Sequence, residues 1–274
     1  MIGLDAGAVL AWGVPRLRDL PWRQTRDPWS ILVAEVMLQQ TQARRVIPKW
    51  EAFLARHPTA AVCASASLGD VLCDWHGLGY PRRARNLHDA AVVMVERHGG
   101  RVPDDLPALL ALPGVGPYTA RAVLAFAFER DVAVVDTNIA RVLARTAGRR
   151  LTGRSVQTAA DALVPSGDGW VWNQVLMDLG ATVCRPTPRC EECPVVRSCC
   201  WHRAGHASPD PADGSAGVST TQAPYAGSDR QARGTVLRML LDGSRPAEQF
   251  PAPIVAGLVA DRLVVRSGDT IRLP

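Results

Sequence analysis

The stretch Leu112-Pro113-Gly114-Val115-Gly116-Pro117 decides the fold, because it predicts a tight turn that opens directly into the apolar helix Thr119–Phe128. Proline suits the first position of a helix, where its missing N–H would have no intrahelical partner. Gly114 and Gly116 carry no side chains, so backbone N–H groups and the positive end of the helix would face outward. Such a turn predicts an anion site that fits a phosphate without any lysine.

The composition is that of a packed, mainly aliphatic protein, and its 274 residues allow one large domain or two modest ones. The 31 Lys and Arg residues exceed the 26 Asp and Glu residues, and the resulting net charge of +5 agrees with a polyanionic partner. The sequence contains neither a signal peptide nor an apolar run long enough to span a membrane. We therefore expect a cytoplasmic, nucleoid-associated protein with no membrane partner.

Successive helices with short breaks are predicted from about residue 27 to residue 200. Strand-like alternation is almost absent there, so the predicted fold class is all-α. One helix is expected over Trp29–Phe53, kinked or split at Pro48. Residues 206–229 are rich in Ser, Asp, Pro and Gly and predict a mobile linker. The tail, residues 230–274, predicts a small winged-helix-like segment with two helices and a short hairpin.

Glu35 is the first candidate catalytic residue. It lies in Ile31–Leu38, a predicted helix that is apolar on every side and therefore buried on most faces. Burial removes hydration from a carboxyl group and raises its pKa, which is what a general acid requires. A buried glutamate paired with an arginine for structural reasons explains the residue equally well when it is considered alone.

Asp136 lies in the opposite setting, at the start of the predicted helix Ile139–Arg145. Its carboxylate should accept N–H bonds from the first turn, which lower its pKa and keep it ionised. Helix capping alone explains an isolated aspartate. A protonated Glu35 and an ionised Asp136 together form the kind of pair that cleaves glycosidic bonds through an oxocarbenium-like state.

Five of the seven cysteines are crowded between residues 184 and 200. The spacing is Cys184-x5-Cys190-x2-Cys193-x5-Cys199, with Cys200 as a spare thiol. In a chain without an export signal this crowding favours a metal site over disulfides. Four thiolates suit tetrahedral zinc or a [4Fe–4S] cluster, and the spacing alone does not choose between them.

Polar and aromatic side chains at predicted turns are candidates for contact with bases. Gln39-Gln40-Thr41-Gln42 ends the Glu35 segment, and Tyr80 follows Gly77-Leu78-Gly79. The glutamines are also explained by a solvated helix face, and Tyr80 by partial burial. Tyr80 could wedge between bases. Trp22 and Arg23 could stack on or bond to a purine, although core packing explains Trp22 equally well.

Together these stretches resemble the adenine DNA glycosylases of the endonuclease III, or helix-hairpin-helix, superfamily, over residues 15–200. The segments that carry the resemblance are Arg18–Arg23, Glu35–Gln42, Gly77–Tyr80, Arg85–His88, Leu112–Ala120, Val135–Asn138 and Asn173–Cys184. The resemblance implies a six-helix barrel domain (residues 22–130) with a helix-hairpin-helix. It also implies an iron–sulfur domain (residues 1–21 and 131–205) holding a [4Fe–4S] cluster on the four cysteines, with DNA in the cleft between the domains.

The resemblance also implies roles for the catalytic candidates. Glu35 would protonate N7 of adenine and later handle the attacking water. Asp136 would stabilise the sugar cation or bond to it covalently for a time, and Asn138 would support Asp136. Tyr118 stands where bifunctional relatives carry a lysine that forms a Schiff base. Strand cleavage should therefore be absent or weak, because no imine can form.

The substrate implied by the resemblance is double-stranded DNA with adenine opposite 8-oxoguanine or guanine, bound by a monomer. The pocket for the flipped base would be lined by Arg18, Trp22, Arg23, Leu38 and Gln174. The opposite base would be held by Gln40, Thr41 and Tyr80, and further DNA contacts would come from Gln39, Leu112, Gly114, Val115 and Gly116. The alternatives are a thymine or uracil mismatch glycosylase, a bifunctional endonuclease III-like enzyme and a non-catalytic DNA-binding module.

Three features depart from that family. The gap after Cys184 holds five residues where six are expected, so Cys200 could adjust the ligand set. Pro81 follows Tyr80 where many relatives have another aromatic residue. The tail after residue 206 is too short for the hydrolase-like domain with which long members inspect 8-oxoguanine.

Overall fold

A computed structural model describes residues 2–218 and 224–274. The described chain divides into two compact units. Unit 1 contains residues 2–24 and 120–218, and unit 2 contains residues 25–119 and 224–274. The all-α prediction is confirmed, since strands are confined to the tail of the described chain. The predicted domain boundaries stay a prediction. None of the described helices is long and apolar enough to cross a bilayer.

Unit 1 is built around two helices that carry candidate site residues, α9 and α11. Its helices are α1 (Ala6–Gly13), most of α8 (Pro117–Phe126), α9 (Thr137–Ala147), α10 (Gly153–Asp161), α11 (Gly169–Thr182) and α12 (Cys200–Arg203). The apolar faces of α1, α9, α10 and α11 form one core that includes Leu143, Trp172 and Leu179. Gly180 lets α9 and α11 approach closely, because a Cβ at this position would stand 2.6 Å from Cβ of Asn138.

Unit 2 holds Glu35, the two predicted base-reading turns and the tail. Its helices are α2 (Pro28–Leu38), α3 (Ala43–Arg56), α4 (Ala60–Ser65), α5 (Leu68–Asp74), α6 (Arg82–His98), α7 (Leu106–Leu110), α13 (Asp229–Met239) and α14 (Ala252–Ala260). The strands β1 (Arg245–Pro246), β2 (Val265–Ser267) and β3 (Thr270–Arg272) form an antiparallel sheet in the order β1-β3-β2. The core includes the fully buried Leu32, Phe53, Leu87 and Met94.

The tail packs against the rest of unit 2 through specific contacts. Asp261 accepts a hydrogen bond from Arg82 at 2.7 Å and pairs with Arg233. The N–H of Gly69 donates to the carbonyl of Pro274 at 3.1 Å. The predicted hairpin is present as β2 and β3, and β1 adds a third strand that was not predicted.

The prediction of a single helix over Trp29–Phe53 is wrong. Asp27 caps α2 as predicted, accepting from the N–H of Ser30 at 2.8 Å. However, the helix ends at Leu38, and Gln40 adopts a left-handed conformation with φ +56°. Pro48 lies inside α3 and does not mark the break. The chain breaks at the glutamines because distant groups bind the carbonyls at the end of α2, as described below.

Residues 206–218, which were expected to be part of a mobile linker, make specific contacts within unit 1. Asp210 forms an ion pair with Arg145 at 2.5 Å. Ser215 is buried, and its hydroxyl accepts from the N–H of Leu151 at 3.0 Å. The polar composition that suggested a linker supplies these bonds. Residues 219–223 of the predicted linker lie outside the described residues.

Candidate functional site

Glu35 lies on α2, one turn before that helix ends, with 5% of its surface exposed. Every residue from Ile31 to Met37 is buried, as expected for a helix that is apolar on all sides. The carboxyl group is therefore held by rigid packing in unit 2. This is the desolvated environment that the sequence predicted for a general acid.

Asp136 is the N-cap of α9, as predicted. Its Oδ1 accepts from the N–H of Ile139 at 2.7 Å, and its Oδ2 accepts from Nδ2 of Asn138 at 2.8 Å. The predicted direction of its pKa is wrong, however. Loss of hydration raises the pKa of Asp136 above its ordinary value, and outweighs the opposing effect of these hydrogen bonds and of the charge on Arg141.

Arg141 fixes the orientation of Asn138 and was missed by sequence reasoning. Its Nη2 donates to Oδ1 of Asn138 at 2.8 Å and to the carbonyl of Gly180 at 2.7 Å. The amide oxygen of Asn138 is thereby directed to the guanidinium, which leaves its NH2 group for Asp136. Nε of Arg141 also donates to the carbonyl of Cys184 at 2.6 Å. Its position one turn after Asn138 on α9 was the available signal.

The four predicted metal ligands line one cavity of unit 1. The described residues around this cavity include Cys184, Cys190, Cys193 and Cys199 and do not include Cys200. Nη1 of Arg145 lies 3.6 Å from Sγ of Cys184. Four thiols gathered on one cavity are a donor set that fits a metal centre or an iron–sulfur cluster.

The thiols affect one another in this cavity. Burial, together with the neighbouring thiols Cys184, Cys199 and Cys190, raises the pKa of Cys193 to about 11. A metal centre would remove this cost, because a metal ion stabilises deprotonated thiols.

Arg18 and Arg23, predicted to line a base pocket, converge on a buried carboxylate. Nε of Arg18 lies 2.6 Å from Oδ1 of Asp178, and both terminal nitrogens of Arg23 bond to Asp178 at 2.8 and 2.9 Å. These hydrogen bonds outweigh burial and lower the pKa of Asp178. Trp22 and Gln174 are buried in the same unit. Asp178, which lies one turn after Gln174 on α11, was missed by sequence reasoning.

Arg83 joins the two turns of unit 2 that were predicted to hold the opposite base. Its Nη1 donates to the carbonyls of Val36, Met37 and Gln39 at 2.8, 2.9 and 2.7 Å. Its Nη2 donates to Oγ1 of Thr41 and to the carbonyls of Leu78 and Gly79 at 3.1 to 3.2 Å. Burial lowers the pKa of Arg83 to about 10, so the guanidinium remains charged at neutral pH.

Both turns hold non-glycine residues in the left-handed region, Gln40 at φ +56° and Tyr80 at φ +50°. Backbone strain of this kind persists only where surrounding contacts impose it, and it concentrates at functional sites. The guanidinium carbon of Arg83 lies 5.3 Å from the centre of the Tyr80 ring, so one residue supports both turns.

The glycine turn is tight and leads directly into α8, as the sequence predicted. Gly114 adopts φ +75°, and a Cβ at this position would stand 2.6 Å from Cβ of Asn86. Apart from Gly116 itself and its two chain neighbours, no heavy atom of the described chain lies within 4 Å of a Cβ built at Gly116. The N–H of Val115 donates to the carbonyl of Leu112 at 3.1 Å. Pro117 begins α8, and Tyr118 is its half-buried second residue.

The predicted site residues are therefore divided between the two units. In unit 2, Nε2 of Gln39 lies 3.3 Å from Oγ1 of Thr119, which links the glutamine turn to the start of α8. Leu38 lies at the end of α2, beside the same turn. Glu35 belongs to unit 2 and Asp136 to unit 1, so the pairing of the two acids stays a prediction.

Comparison with known proteins gives consistent matches. The family model for HhH-GPD superfamily base excision DNA repair proteins matches residues 33–165. The chain is 42% identical to an adenine DNA glycosylase of Mycobacterium tuberculosis over 281 aligned residues, covering 95% of this chain and 90% of the relative. It is 43% identical to an adenine DNA glycosylase of Mycolicibacterium smegmatis, covering 90% and 84%. Among solved structures, a thermostable thymine-DNA glycosylase matches with a TM-score of 0.67 and 32% identity, covering 73% of this chain and 95% of that one.

Proposed function

The chain belongs to the adenine DNA glycosylases of the HhH-GPD superfamily of base excision DNA repair proteins, and from this membership we propose that it removes adenine mispaired with 8-oxoguanine or guanine. It is a hydrolase that acts on N-glycosidic bonds. The observation that carries the assignment is the similarity to adenine DNA glycosylases over 95% of the chain, tail included.

The proposed mechanism begins with Glu35 as general acid. Its buried carboxyl group protonates N7 of the flipped adenine, which makes the base a better leaving group as the bond from N9 to C1′ breaks. The deprotonated Glu35 then takes a proton from the attacking water. Proton donation favours adenine over a pyrimidine, because a departing pyrimidine anion gains less from it.

Asp136 is proposed to act as the anion that stabilises the sugar cation. Asn138 and the N–H of Ile139 hold its two oxygens at 2.8 and 2.7 Å, so the carboxylate is fixed before the reaction. Desolvation raises the pKa of Asp136, and this makes its anionic form higher in energy in the free protein. A positive charge that develops on the sugar compensates for that cost.

Tyr118 supports a monofunctional reaction. A phenol cannot form the imine with the opened sugar that strand cleavage by β-elimination requires. The product expected from this chain is therefore an intact strand with an abasic site.

The glycine turn and the two turns joined by Arg83 are proposed to bind DNA. The backbone N–H groups of Gly114 and Gly116 would take a phosphate at the start of α8. Gln40, Thr41 and Tyr80 would contact the opposite nucleotide, with Gln39 beside them. Arg18, Trp22, Arg23 and Gln174 of unit 1 would contact the flipped base, as would Leu38 of unit 2. Flipping costs less at a mispaired site, so mispairing itself contributes to selectivity.

Cys184, Cys190, Cys193 and Cys199 are proposed to hold a [4Fe–4S] cluster, which would link the segments around its cavity. Arg145 supports the same loop, donating to the carbonyls of Arg185 and Pro186 at 2.6 and 2.9 Å. Purified protein should therefore be brown, with a broad visible absorbance band and iron and sulfide in equal amounts. A colourless protein with stoichiometric zinc would contradict the iron–sulfur assignment.

Single-turnover base release from a panel of duplexes tests the proposed substrate. Adenine should be released from A:8-oxoguanine and A:G duplexes, without release from T:G or U:G and without trapping by borohydride. The similarity to a thymine-DNA glycosylase makes thymine or uracil the second candidate. Release of a pyrimidine with adenine left untouched would overturn the adenine proposal, and borohydride trapping would overturn the monofunctional one.

A further inference from the structure

A histidine outside the expected ligand set lies against the cysteine cavity of unit 1. Nε2 of His206 is 3.5 Å from Sγ of Cys190. The ligand atoms of Cys190, His202 and His206 all lie within 4.8 Å of one another. Two imidazoles therefore stand beside one of the four thiols, although those thiols already complete a four-ligand set.

The position of His206 is imposed by its surroundings. Its backbone adopts φ +60°, a left-handed conformation that costs free energy in any residue except glycine. Its N–H donates to the carbonyl of Trp201 at 3.0 Å. Its ring packs on the Trp201 ring with centroids 4.5 Å apart, and the ring of His202 meets it edge-on at 5.1 Å.

Trp201 is itself held by contacts on two sides, so the contact between its ring and that of His206 is well defined. Its Nε1 donates to the carbonyl of Ala207 at 2.9 Å. The guanidinium of Arg145 lies over its ring at 4.5 Å. Arg145 also lies 3.6 Å from Sγ of Cys184 through Nη1, so this support of His206 reaches a second thiol of the cavity.

Chemistry identifies which group donates the hydrogen bond between His206 and Cys190. A thiolate that ligates a metal carries no proton, so only the imidazole can supply the hydrogen of an N–H···S bond. Hydrogen bonds to the sulfurs of an iron–sulfur cluster are among the factors that set its reduction potential. They stabilise the more negative, reduced state and so raise that potential.

We infer that His206 donates a hydrogen bond to Sγ of Cys190 and thereby raises the reduction potential of the cluster. The inference rests on the [4Fe–4S] cofactor proposed above. His206 acts as a positioning and tuning residue beside the ligand set and is not itself a ligand.

The test compares His206→Leu, which removes the donor, with His206→Gln, which keeps an N–H donor of similar reach. His76→Leu is the matched control, since His76 is an exposed histidine of unit 2. Iron and sulfide are counted first in each purified protein. The reduction potential is then measured by direct electrochemistry, and the iron–thiolate stretching frequencies by resonance Raman spectroscopy.

The expected result is a full cluster in every protein, with a more negative potential and altered stretching frequencies in His206→Leu. The values should return towards the wild type in His206→Gln and stay unchanged in His76→Leu. If a His206→Leu protein with a full cluster has an unchanged reduction potential, the inference is overturned, whereas the proposed [4Fe–4S] cofactor is retained. Loss of iron in His206→Leu alone overturns it by making His206 a ligand. Absence of iron from the wild type overturns both the cofactor and the inference.

Discussion

Glu35 is the residue whose replacement best separates chemistry from DNA binding. In Glu35→Gln the amide keeps the shape of the buried side chain but cannot donate a proton as a carboxylic acid does. Single-turnover release of adenine should fall by about 10²- to 10⁴-fold, the range of a lost general acid. Affinity for the same duplex, measured by fluorescence anisotropy, should not change.

Glu51→Gln is the matched control, because Glu51 is an exposed glutamate of α3 in the same unit. Its rate should equal that of the wild type. Full activity in Glu35→Gln would remove the general acid from the mechanism and would favour a non-catalytic role for the carboxyl group.

Asp136→Asn tests the second acid and its raised pKa. Asparagine is as good an N-cap as aspartate, so α9 should still form. The loss of the negative charge should slow adenine release by about 10²- to 10³-fold, as for removal of one electrostatic contact with a transition state. The rate is measured with the single-turnover assay used for Glu35→Gln.

The same variant has a predicted effect on stability. Because the folded protein raises the pKa of Asp136 above its ordinary value of 3.8, the folded state favours the protonated acid. The wild type should therefore gain stability relative to Asp136→Asn as the pH falls through the raised pKa towards 3.8, because the destabilising charge is lost. Urea unfolding of both proteins from neutral to acid pH measures this change. A difference in urea midpoint that does not vary with pH contradicts the assignment.

Asp136 also shows how far local sequence predicts a residue. The cap followed from the neighbouring helix pattern, and the bond from Asn138 followed from the resemblance to the glycosylases. The direction of the pKa did not follow, because it depends on desolvation by parts of the chain remote in sequence. Asp178 and Arg141 were missed for a related reason, since their partners Arg18 and Cys184 lie far from them along the chain.

At the scale of elements, the glycine turn before α8 offers a matched pair of substitutions. Gly114→Ala forces a side chain into φ +75° and against Asn86, whereas Gly116→Ala meets no heavy atom of the described chain within 4 Å beyond its own residue and its two chain neighbours. The left-handed conformation alone costs about 1–2 kcal/mol. We expect Gly114→Ala to lower the free energy of unfolding by at least that amount, and Gly116→Ala to change it by less than about 0.5 kcal/mol.

Urea unfolding followed by circular dichroism measures this difference, and anisotropy measures DNA affinity in the same samples. Gly114→Ala should also bind DNA more weakly, because the backbone N–H groups of the turn would shift. Equal stability of the two variants would show that the turn does not depend on the geometry of Gly114.

The break between α2 and α3 shows why some element boundaries could not be read from the sequence. Pro48 is the strongest local helix breaker in that region, yet the helix continues through it. The chain breaks at Gln39–Gln42 because Arg83, more than forty residues away, binds the last carbonyls of α2. The local signal at the start of α2 was read correctly, since Asp27 caps the helix and Pro28 is its first residue.

For the whole molecule, composition was a weaker guide than local pattern. The helical fold class, the tail hairpin and the gathering of four cysteines were predictable from periodicity and spacing. The polar segment after residue 206 was not, because Asp210 and Ser215 use the side chains typical of linkers to bond with Arg145 and Leu151. Net charge likewise indicates a polyanionic partner without indicating where that partner binds.

Two arginine substitutions that change the net charge equally test where DNA binds. Arg44 is exposed in the first turn of α3, beside the glutamine turn that Arg83 joins to Tyr80. Arg101 is exposed just after α6, whose 17 residues extend about 25 Å from the Tyr80 end. In Arg44→Ala the slope of log affinity against log salt concentration should fall by about 0.9, the value for one lost phosphate contact. Arg101→Ala should leave the slope unchanged. Equal slopes for the two variants would place the DNA-binding surface elsewhere than on the two turns joined by Arg83.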